Sequence, residues 1–173
     1  MDFSIRKATE GDIRLIRSMA DVVFRRTYAS ILSPEQMEYM MDWMYSEQSL
    51  RGQVCDEGRW FCVAETVSGG VPAGYVSYEL ERTLEDGRPL YHLQKLYVMP
   101  QYQGMGLGRQ MLDYVKRALN SATPDGCRVE LNVNRGNPAV DFYERMGMVC
   151  ARQGDFPIGC GYYMNDYIYA VDL

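Results

Sequence analysis

The sequence predicts a mixed α/β fold built as one domain over residues 1–173. Some segments alternate apolar and polar residues with period two, whereas others place apolar residues at helical spacing. The predicted order is a strand, helices, three strands, a helix, a strand, a helix and closing strands, which differs from a regular βαβ repeat. No internal repeat or Ser/Gly-rich linker marks a boundary, and 173 residues suit one domain that buries roughly two-thirds of its unfolded surface.

Helix-start signals organise the first third of the chain. Thr9-Glu10-Gly11-Asp12 is a capping-box pattern, Ser33-Pro34 combines an N-cap with proline at the first helical position, and Ser46 is a further N-cap. The predicted elements are a strand at 3–7, a helix from 13 to about 26, a helix from 34 with methionines at 37, 40, 41 and 44 on one stripe, and a short helix from 46 to about 54.

The pattern then changes to period two, which is typical of strands separated by tight turns. Gly69-Gly70 and Asp86-Gly87 mark two of these turns, Asn137-Pro138 marks a helix start, and Gly147 marks a helix end. The predicted elements are strands at 60–64, 73–81, 90–98 and 128–133, a helix with its inner face at 107–119, a helix from about 138 to 146, and closing strands at 148–152 and 162–171.

Composition excludes several classes of protein. The net charge of −5 provides no basic surplus for a nucleic-acid backbone, so no nucleic-acid partner is expected. No apolar stretch reaches the ~18 residues of a membrane span, and the N-terminus lacks the pattern of a secretory signal. The five cysteines form no CxxC pair and His92 is the only histidine, so no metal site is expected. Together these features predict a cytoplasmic protein with reduced thiols, although a nucleophilic cysteine stays open.

A glycine-rich loop between a predicted strand and a predicted helix carries the clearest chemical signal. Alternating glycines at 104, 106 and 108 let the backbone approach a ligand, and free N–H groups at a helix start favour an anion such as a pyrophosphate. A plain tight turn is the alternative. The Lys-Ser/Thr of a P-loop is absent, and the glycine spacing does not fit the dinucleotide fingerprint. An unrelated nucleotide-binding enzyme is therefore disfavoured.

Two motifs give the chain a family resemblance. Gln103-x-x-Gly106-x-Gly108 resembles motif A of the GCN5-related N-acetyltransferase (GNAT) superfamily, and Gln101-x-x-Gly104-x-Gly106 satisfies the same pattern. The segment Asn137-Pro138-Ala139-Val140-Asp141-Phe142-Tyr143-Glu144-Arg145-Met146-Gly147-Met148 is similar to motif B, with Met148 where the family often has phenylalanine. Both motifs lie in the family's order and separation, and with the element order the resemblance covers nearly the whole chain.

The resemblance implies a fold and a co-substrate. The family has a mixed, mostly antiparallel sheet of six to seven strands with helices on both faces, and its central fourth and fifth strands splay apart to admit acetyl-CoA. The co-substrate arm would pair with the fourth strand, and the pyrophosphate would sit on the loop. The implied acetyl-CoA-binding residues are Leu96, Tyr97, Val98, Gln103, Gly104, Met105, Gly106, Leu107, Gly108, Arg109 and Asn137, with Lys116 and Arg117 as further cations near the helix.

Tyr143 is the candidate general acid, because a tyrosine hydroxyl near the thioester sulfur can protonate the departing thiolate. A core tyrosine on an apolar helix face is the alternative. His92 is the candidate general base, since an unperturbed imidazole titrates near ~6.5, and a structural imidazole is its alternative. Glutamates at 79, 81 and 130 are further bases that can act through water. The lack of a Cys-His-acid arrangement predicts direct transfer in a ternary complex.

The first helices and the closing strands indicate the class of acceptor. These segments resemble those of a bacterial branch of the family that includes polyamine acetyltransferases. Tyr28, Asp155 and Asp166 are the candidate substrate residues, because carboxylates and tyrosines can hold an ammonium group through charge pairing and cation–π contacts. Packing across a sheet is the alternative reading of these residues. A small primary amine, with a polyamine first, is the predicted acceptor. A protein or peptide acceptor, a non-catalytic acetyl-CoA sensor and a homodimer all stay open.

Overall fold

A computed structural model describes residues 1–173 as seven strands, five α-helices and two short 3₁₀ turns. The helices are α1 (Ile13–Tyr28), α2 (Pro34–Tyr45), α3 (Glu47–Cys55), α4 (Leu107–Ala122) and α5 (Val140–Arg145). The strands are β1 (Phe3–Lys7), β2 (Arg59–Thr66), β3 (Pro72–Thr83), β4 (Pro89–Val98), β5 (Arg128–Asn134), β6 (Val149–Gly159) and β7 (Tyr162–Asp172). The predicted mixed α/β class and the predicted element order are confirmed.

All strands form one sheet in the order β1-β2-β3-β4-β5-β7-β6. Every neighbouring pair is antiparallel except β4 and β5, which run parallel. A parallel pair needs a long crossover connection, and α4 supplies it. The mostly antiparallel seven-stranded sheet agrees with the expectation from the family resemblance.

Two apolar clusters cover the two faces of this sheet. Methionines, Phe24 and Tyr45 of α1 and α2 pack with α3 onto one face, around Phe61 and Tyr75. Leu107 and further apolar residues of α4 pack with α5 onto the opposite face. None of these helices combines the length and apolar character that crossing a membrane requires.

Local capping chemistry explains where the first helices begin. The Thr9–Asp12 capping box forms, and the Asp12 carboxylate also accepts two hydrogen bonds from the Arg6 guanidinium at 2.8 and 2.9 Å. The Ser33 hydroxyl accepts from the Gln36 N–H at 3.1 Å, and the Ser46 hydroxyl accepts from the Ser49 N–H at 3.3 Å. All three helix starts predicted from the sequence are therefore confirmed.

Asp12 makes the fold acid-sensitive. Its hydrogen bonds from Arg6 outweigh the opposing effect of burial and lower its pKa from 3.8 to about 2. Because the folded pKa lies below the unfolded one, this stabilisation is present above about pH 4 and is lost as the pH falls through about 2. Replacing Asp12 by asparagine is expected to lower the free energy of unfolding by about 2 kcal/mol at pH 7. Urea unfolding at pH 7 and at pH 2.5 measures this loss and its decrease in acid. An Asp125→Asn variant, at an exposed turn, is the control and is expected to be neutral.

Two boundaries differ from the sequence-based prediction. β6 continues to Gly159, well beyond residue 152, because an edge strand tolerates Pro157 without losing an inner hydrogen bond. α5 begins at Val140 with Ala139 as N-cap, so Asn137 is not its cap residue. The Asn137 Oδ1 accepts instead from the Ala139 N–H at 2.9 Å, in the turn that leads into the helix.

Candidate active site

The site begins where β4 and β5 part. Their pairing covers only Leu90 to His92 on β4 and Arg128 to Glu130 on β5. Beyond these residues, β4 stays bonded only to β3 and β5 only to β7. The β4 backbone from Leu96 to Val98 therefore has no strand partner on its β5 side, where the Val98 carbonyl accepts instead from the Gln103 side-chain amide at 3.1 Å. The parting strands border a cavity of about 460 Å³, which also reaches Tyr28 at the end of α1 and Tyr143 on α5. We call this cavity the cleft.

The glycine loop lies at one end of the cleft. Gly104 and Gly106 have φ values of +78° and +81°, and a Cβ on either would point into open space. The loop lines an adjoining cavity of about 540 Å³, the loop cavity, which shares Leu96, Val98 and Gln103 with the cleft.

Unpaired backbone donors make the loop an anion site. No protein group accepts from the N–H groups of Gly104, Gly106, Leu107, Gly108 and Arg109. Three of these belong to the first turn of α4, where N–H groups have no intrahelical acceptor and the helix dipole is positive. The arrangement fits a diphosphate such as that of coenzyme A.

The cations near the loop occupy different positions. Arg109 lines the loop cavity and is largely exposed, with Asp113 at 3.6 Å as its ion-pair partner. Lys116 instead donates to the Met146 carbonyl at 3.1 Å and does not line the loop cavity. Arg145 lines the loop cavity as well and was missed by the sequence analysis. Its position in the motif B segment was the sequence feature that could have indicated it.

Tyr143 lies on α5 with its side chain in the cleft. The residue is only 8% exposed, and burial raises the pKa of its phenol well above the usual value of 10. The hydroxyl therefore keeps its proton at neutral pH and is available as a donor. Tyr28 and Asn137 line the same cleft, and burial raises the pKa of Tyr28 too.

A β-bulge in β4 redirects the side chains at the centre of the sheet. Ser77 pairs with Lys95 and Tyr78 pairs with Leu93, which leaves Gln94 as an extra residue. Tyr91 and Leu93 join the apolar cluster under α4, whereas Tyr97 packs against the cluster under α1 to α3. The bulge thus separates the two faces of β4 just where the cleft opens.

A third cavity of about 290 Å³ lies on the α1 and α2 side of the sheet. We call it the acceptor cavity, because it shares Tyr28, Gln94, Tyr97 and Asn132 with the cleft. Its remaining lining is mostly aromatic, aliphatic and thioether, together with the polar residues His92, Asn134 and Asp166. The apolar lining residues are Phe24, Met40, Trp43, Met44, Phe156, Ile158 and Met164.

His92 is held by a carboxylate at the wall of the acceptor cavity. Its Nδ1 lies 3.2 Å from the Glu81 Oε2, which leaves Nε2 as the other ring nitrogen. Among the alternative bases, Glu79 accepts from Gln94 at 2.9 Å and pairs with Arg59 at 3.1 Å.

Glu130 is fully engaged by two arginines. Although burial alone would raise the pKa of Glu130, hydrogen bonds from Arg152 and Arg128 hold it below its ordinary value. A carboxylate held in this way is a weak proton acceptor, so the geometry disfavours Glu130 as the base.

The predicted substrate residues separate into inside and outside positions. Tyr28 and Asp166 line the acceptor cavity. The Asp155 side chain is 62% exposed at the surface, where it pairs with Arg135, and it lines neither the cleft nor the acceptor cavity. The alternating pattern of the closing strands did not distinguish these two aspartates.

A buried lysine beside the site was missed by the sequence analysis. Lys95 donates to the Gln53 Oε1 and lies 5.5 Å from the centre of the Tyr45 ring. Burial lowers its pKa from 10.5 to about 8. Its place directly before the apolar residues Leu96, Tyr97 and Val98 was the only sequence signal.

Comparison with known proteins places this geometry in a family. A model of the Acetyltransferase (GNAT) family matches residues 23–148. The thialysine N-epsilon-acetyltransferase of Bos taurus is 30% identical over 157 residues, which cover 83% of this chain and 82% of that protein.

Solved structures share the fold over nearly the whole chain. The PaiA N-acetyltransferase of Thermoplasma acidophilum, in complex with coenzyme A, gives a TM-score of 0.77 at 22% identity and covers 98% of both chains. The spermidine/spermine N-acetyltransferase SpeG of Vibrio cholerae gives 0.61 at 21% identity, covering 99% of this chain and 95% of that chain. The chain therefore belongs to the acetyltransferase (GNAT) family and is an acyltransferase that uses acetyl-CoA.

Proposed function

We propose that this enzyme transfers the acetyl group of acetyl-CoA directly to a primary amine of a small cationic molecule, with polyamines as the first candidates. The observation that carries the proposal is the shared wall between the cleft and the acceptor cavity at Tyr28, Gln94, Tyr97 and Asn132. Two ligands bound in these spaces would meet at that wall. The arrangement supports attack of an amine on an acyl group without an intermediate carrier.

The cleft and the loop would hold the co-substrate. When bound, acetyl-CoA supplies an electrophilic thioester carbonyl and a thiol leaving group. Its extended arm would bond the backbone edge of β4 at Leu96 and Val98 that faces β5, whereas the backbone groups of Tyr97 face β3. The unpaired N–H groups of Gly104, Gly106, Leu107 and Gly108 would hold its diphosphate, with Arg109 beside them. The N–H groups of Gln103 and Met105 instead donate to the carbonyls of Pro100 and Tyr102. Asn137 lines the cleft near the arm.

Tyr143 would act as the general acid. Its raised pKa keeps the phenol protonated at neutral pH, and its side chain lies in the cleft rather than in the acceptor cavity. That position suits protonation of the departing sulfur, since an acid must lie on the leaving-group side of the reacting carbon.

His92 would act as the general base on the other side. The amine must lose a proton before it can attack, and His92 lines the acceptor cavity from which the amine arrives. Glu81 at Nδ1 would hold the ring so that Nε2 serves as the acceptor of that proton.

The positions of the cysteines support direct transfer. None of the five lines the cleft, the loop cavity or the acceptor cavity. An acetylated cysteine would need a thiol at the reacting carbon. Mass spectrometry of the enzyme mixed with acetyl-CoA alone tests this: no acetyl group on the protein is expected, and a covalent acetyl that later passes to an amine would contradict it.

The acceptor class rests on charge and on the relatives. The net charge of −5 favours attraction of a cationic acceptor. The names of the Bos taurus and Vibrio cholerae enzymes refer to thialysine and to spermidine and spermine, which all carry primary amines.

An acceptor panel tests the proposal. Release of free thiol from acetyl-CoA is followed with spermidine, thialysine, a neutral amino acid and a peptide with a free N-terminus. Turnover of spermidine or thialysine well above that of the neutral amino acid and the peptide is expected. A preference for the peptide would indicate a protein acetyltransferase, and acetyl-CoA binding without any turnover would indicate a sensor.

A further inference from the structure

We propose that Asp166 binds a second ammonium group of the acceptor, so that the enzyme selects amines that carry two positive charges over amines that carry one. This inference rests on the proposed function and adds a selectivity-determining residue to it. The supporting observations are the burial of the carboxylate, its missing partner and the character of the cavity walls.

The Asp166 carboxylate is buried without a matching charge. The residue is only 5% exposed, and its Oδ1 has no hydrogen-bond partner. Its Oδ2 accepts one hydrogen bond, from the Asn132 amide at 3.1 Å. A buried carboxylate normally accepts several hydrogen bonds or pairs with a cation. Without such partners, nothing compensates the favourable hydration free energy that the charge loses on burial.

Nearby side chains do not provide that cation. Arg135 lies close enough to influence Asp166 electrostatically, but its guanidinium donates to Asp155 on the surface. His92 also faces Asp166 electrostatically, and its ring bonds Glu81. Burial accordingly raises the pKa of Asp166, as expected for a carboxylate that lacks a bonded cation.

The cavity offers this charge to a ligand. Asp166 lines the acceptor cavity, whose remaining walls are largely apolar and aromatic. Such walls suit the methylene chain between two amines, and the faces of Trp43 and Phe156 suit a cation. The reacting amine would lie at the wall shared with the cleft while the second ammonium pairs with Asp166.

Selectivity among acceptors of equal length tests the inference without any mutation. The acceptors are 1,4-diaminobutane, 4-aminobutan-1-ol, butylamine and 4-aminobutyrate, which differ only at the end that does not react. In the wild-type enzyme, kcat/KM for the diamine is expected to exceed that for butylamine by about 30-fold, the value of one well-placed buried charge pair. The amino alcohol is expected to resemble butylamine, and 4-aminobutyrate is expected to be the poorest acceptor.

An Asp166→Asn variant identifies the residue responsible. Asparagine keeps the shape and can still accept from Asn132, but it removes the charge. The ratio of kcat/KM for the diamine to kcat/KM for butylamine is expected to fall to less than about threefold. An Asp172→Asn variant is the matched control, because this aspartate lies on the same strand but pairs with Arg88 at the surface. It is expected to keep the full preference.

The outcomes separate the inference from the proposed function. Equal turnover of all four amines by the wild-type enzyme overturns the role of Asp166 and leaves acetyl transfer standing. A diamine preference that survives in Asp166→Asn overturns it as well. No turnover of any amine, despite acetyl-CoA binding, overturns both.

Discussion

Replacing Tyr143 by phenylalanine is expected to lower kcat by about 100- to 10,000-fold, which is the usual contribution of a positioned general acid. The ring remains to fill its place in the core, so folding and acetyl-CoA affinity are expected to stay near those of the wild type. The loss falls on kcat because the hydroxyl acts only when the thiol departs. Steady-state thiol release measures kcat, and calorimetric titration measures the Kd for acetyl-CoA.

A second buried tyrosine provides the matched control. Tyr78 on β3 is buried, stacks on Trp60 with 5.1 Å between ring centres, and lies outside the cleft and the acceptor cavity. A Tyr78→Phe variant is expected to keep kcat within about twofold, since surroundings without a reacting group give its hydroxyl no role in proton transfer. Equal kcat in Tyr143→Phe and wild type would remove Tyr143 as the acid.

Replacing Gly106 by valine is expected to weaken acetyl-CoA binding by about tenfold or more, which corresponds to about 1.4 kcal/mol. Gly106 is the N-cap of α4 and has a left-handed backbone that valine adopts only with strain. Gly106 also lines the loop cavity, so the added side chain would occupy space beside the unpaired N–H groups. Calorimetric titration with acetyl-CoA gives the change in Kd.

A variant at Gly87 is the control that distinguishes the effect of backbone strain from the effect on acetyl-CoA binding. Gly87 has nearly the same backbone angle, with φ of +86°, and it too has open space around its missing Cβ. The residue lies in the turn between β3 and β4, at the end of β4 opposite the glycine loop. A Gly87→Val variant is expected to lose similar stability but to bind acetyl-CoA as the wild type does. Similar affinities in both variants would argue against a diphosphate site at Gly106.

Much of the fold was predictable because its determinants are local in the chain. The hydrogen bonds at Thr9, Ser33 and Ser46 join residues three apart, so a short motif specifies each helix start. Apolar periodicity predicted most strands and helices, because the residues that an element buries follow its own repeat, whereas the third helix was predicted from its N-cap, Ser46. The glycine loop was readable for the same reason: its conformation depends on Gly104 and Gly106 themselves.

Features that depend on pairing between distant segments were not predictable. The β-bulge at Gln94 is defined by the register between β4 and β3, and the sequence of β4 alone does not predict it. Glu130 is disfavoured as a base because Arg152 binds its carboxylate. Arg152 lies on β6, which is separated from β5 by β7 in the sheet. Asp155 and Asp166 looked equivalent in the sequence, yet one is exposed with Arg135 and the other is buried without a cation.

Amine-dependent release of coenzyme A thiol tests the proposed transfer most directly. The wild-type enzyme is mixed with acetyl-CoA in the presence and absence of 1,4-diaminobutane, and both free thiol and acetylated amine are quantified. Direct transfer predicts negligible thiol without the amine and one acetylated amine for each thiol released when it is present. Thiol release that is independent of the amine, or no release at all under conditions where acetyl-CoA binds, would contradict it.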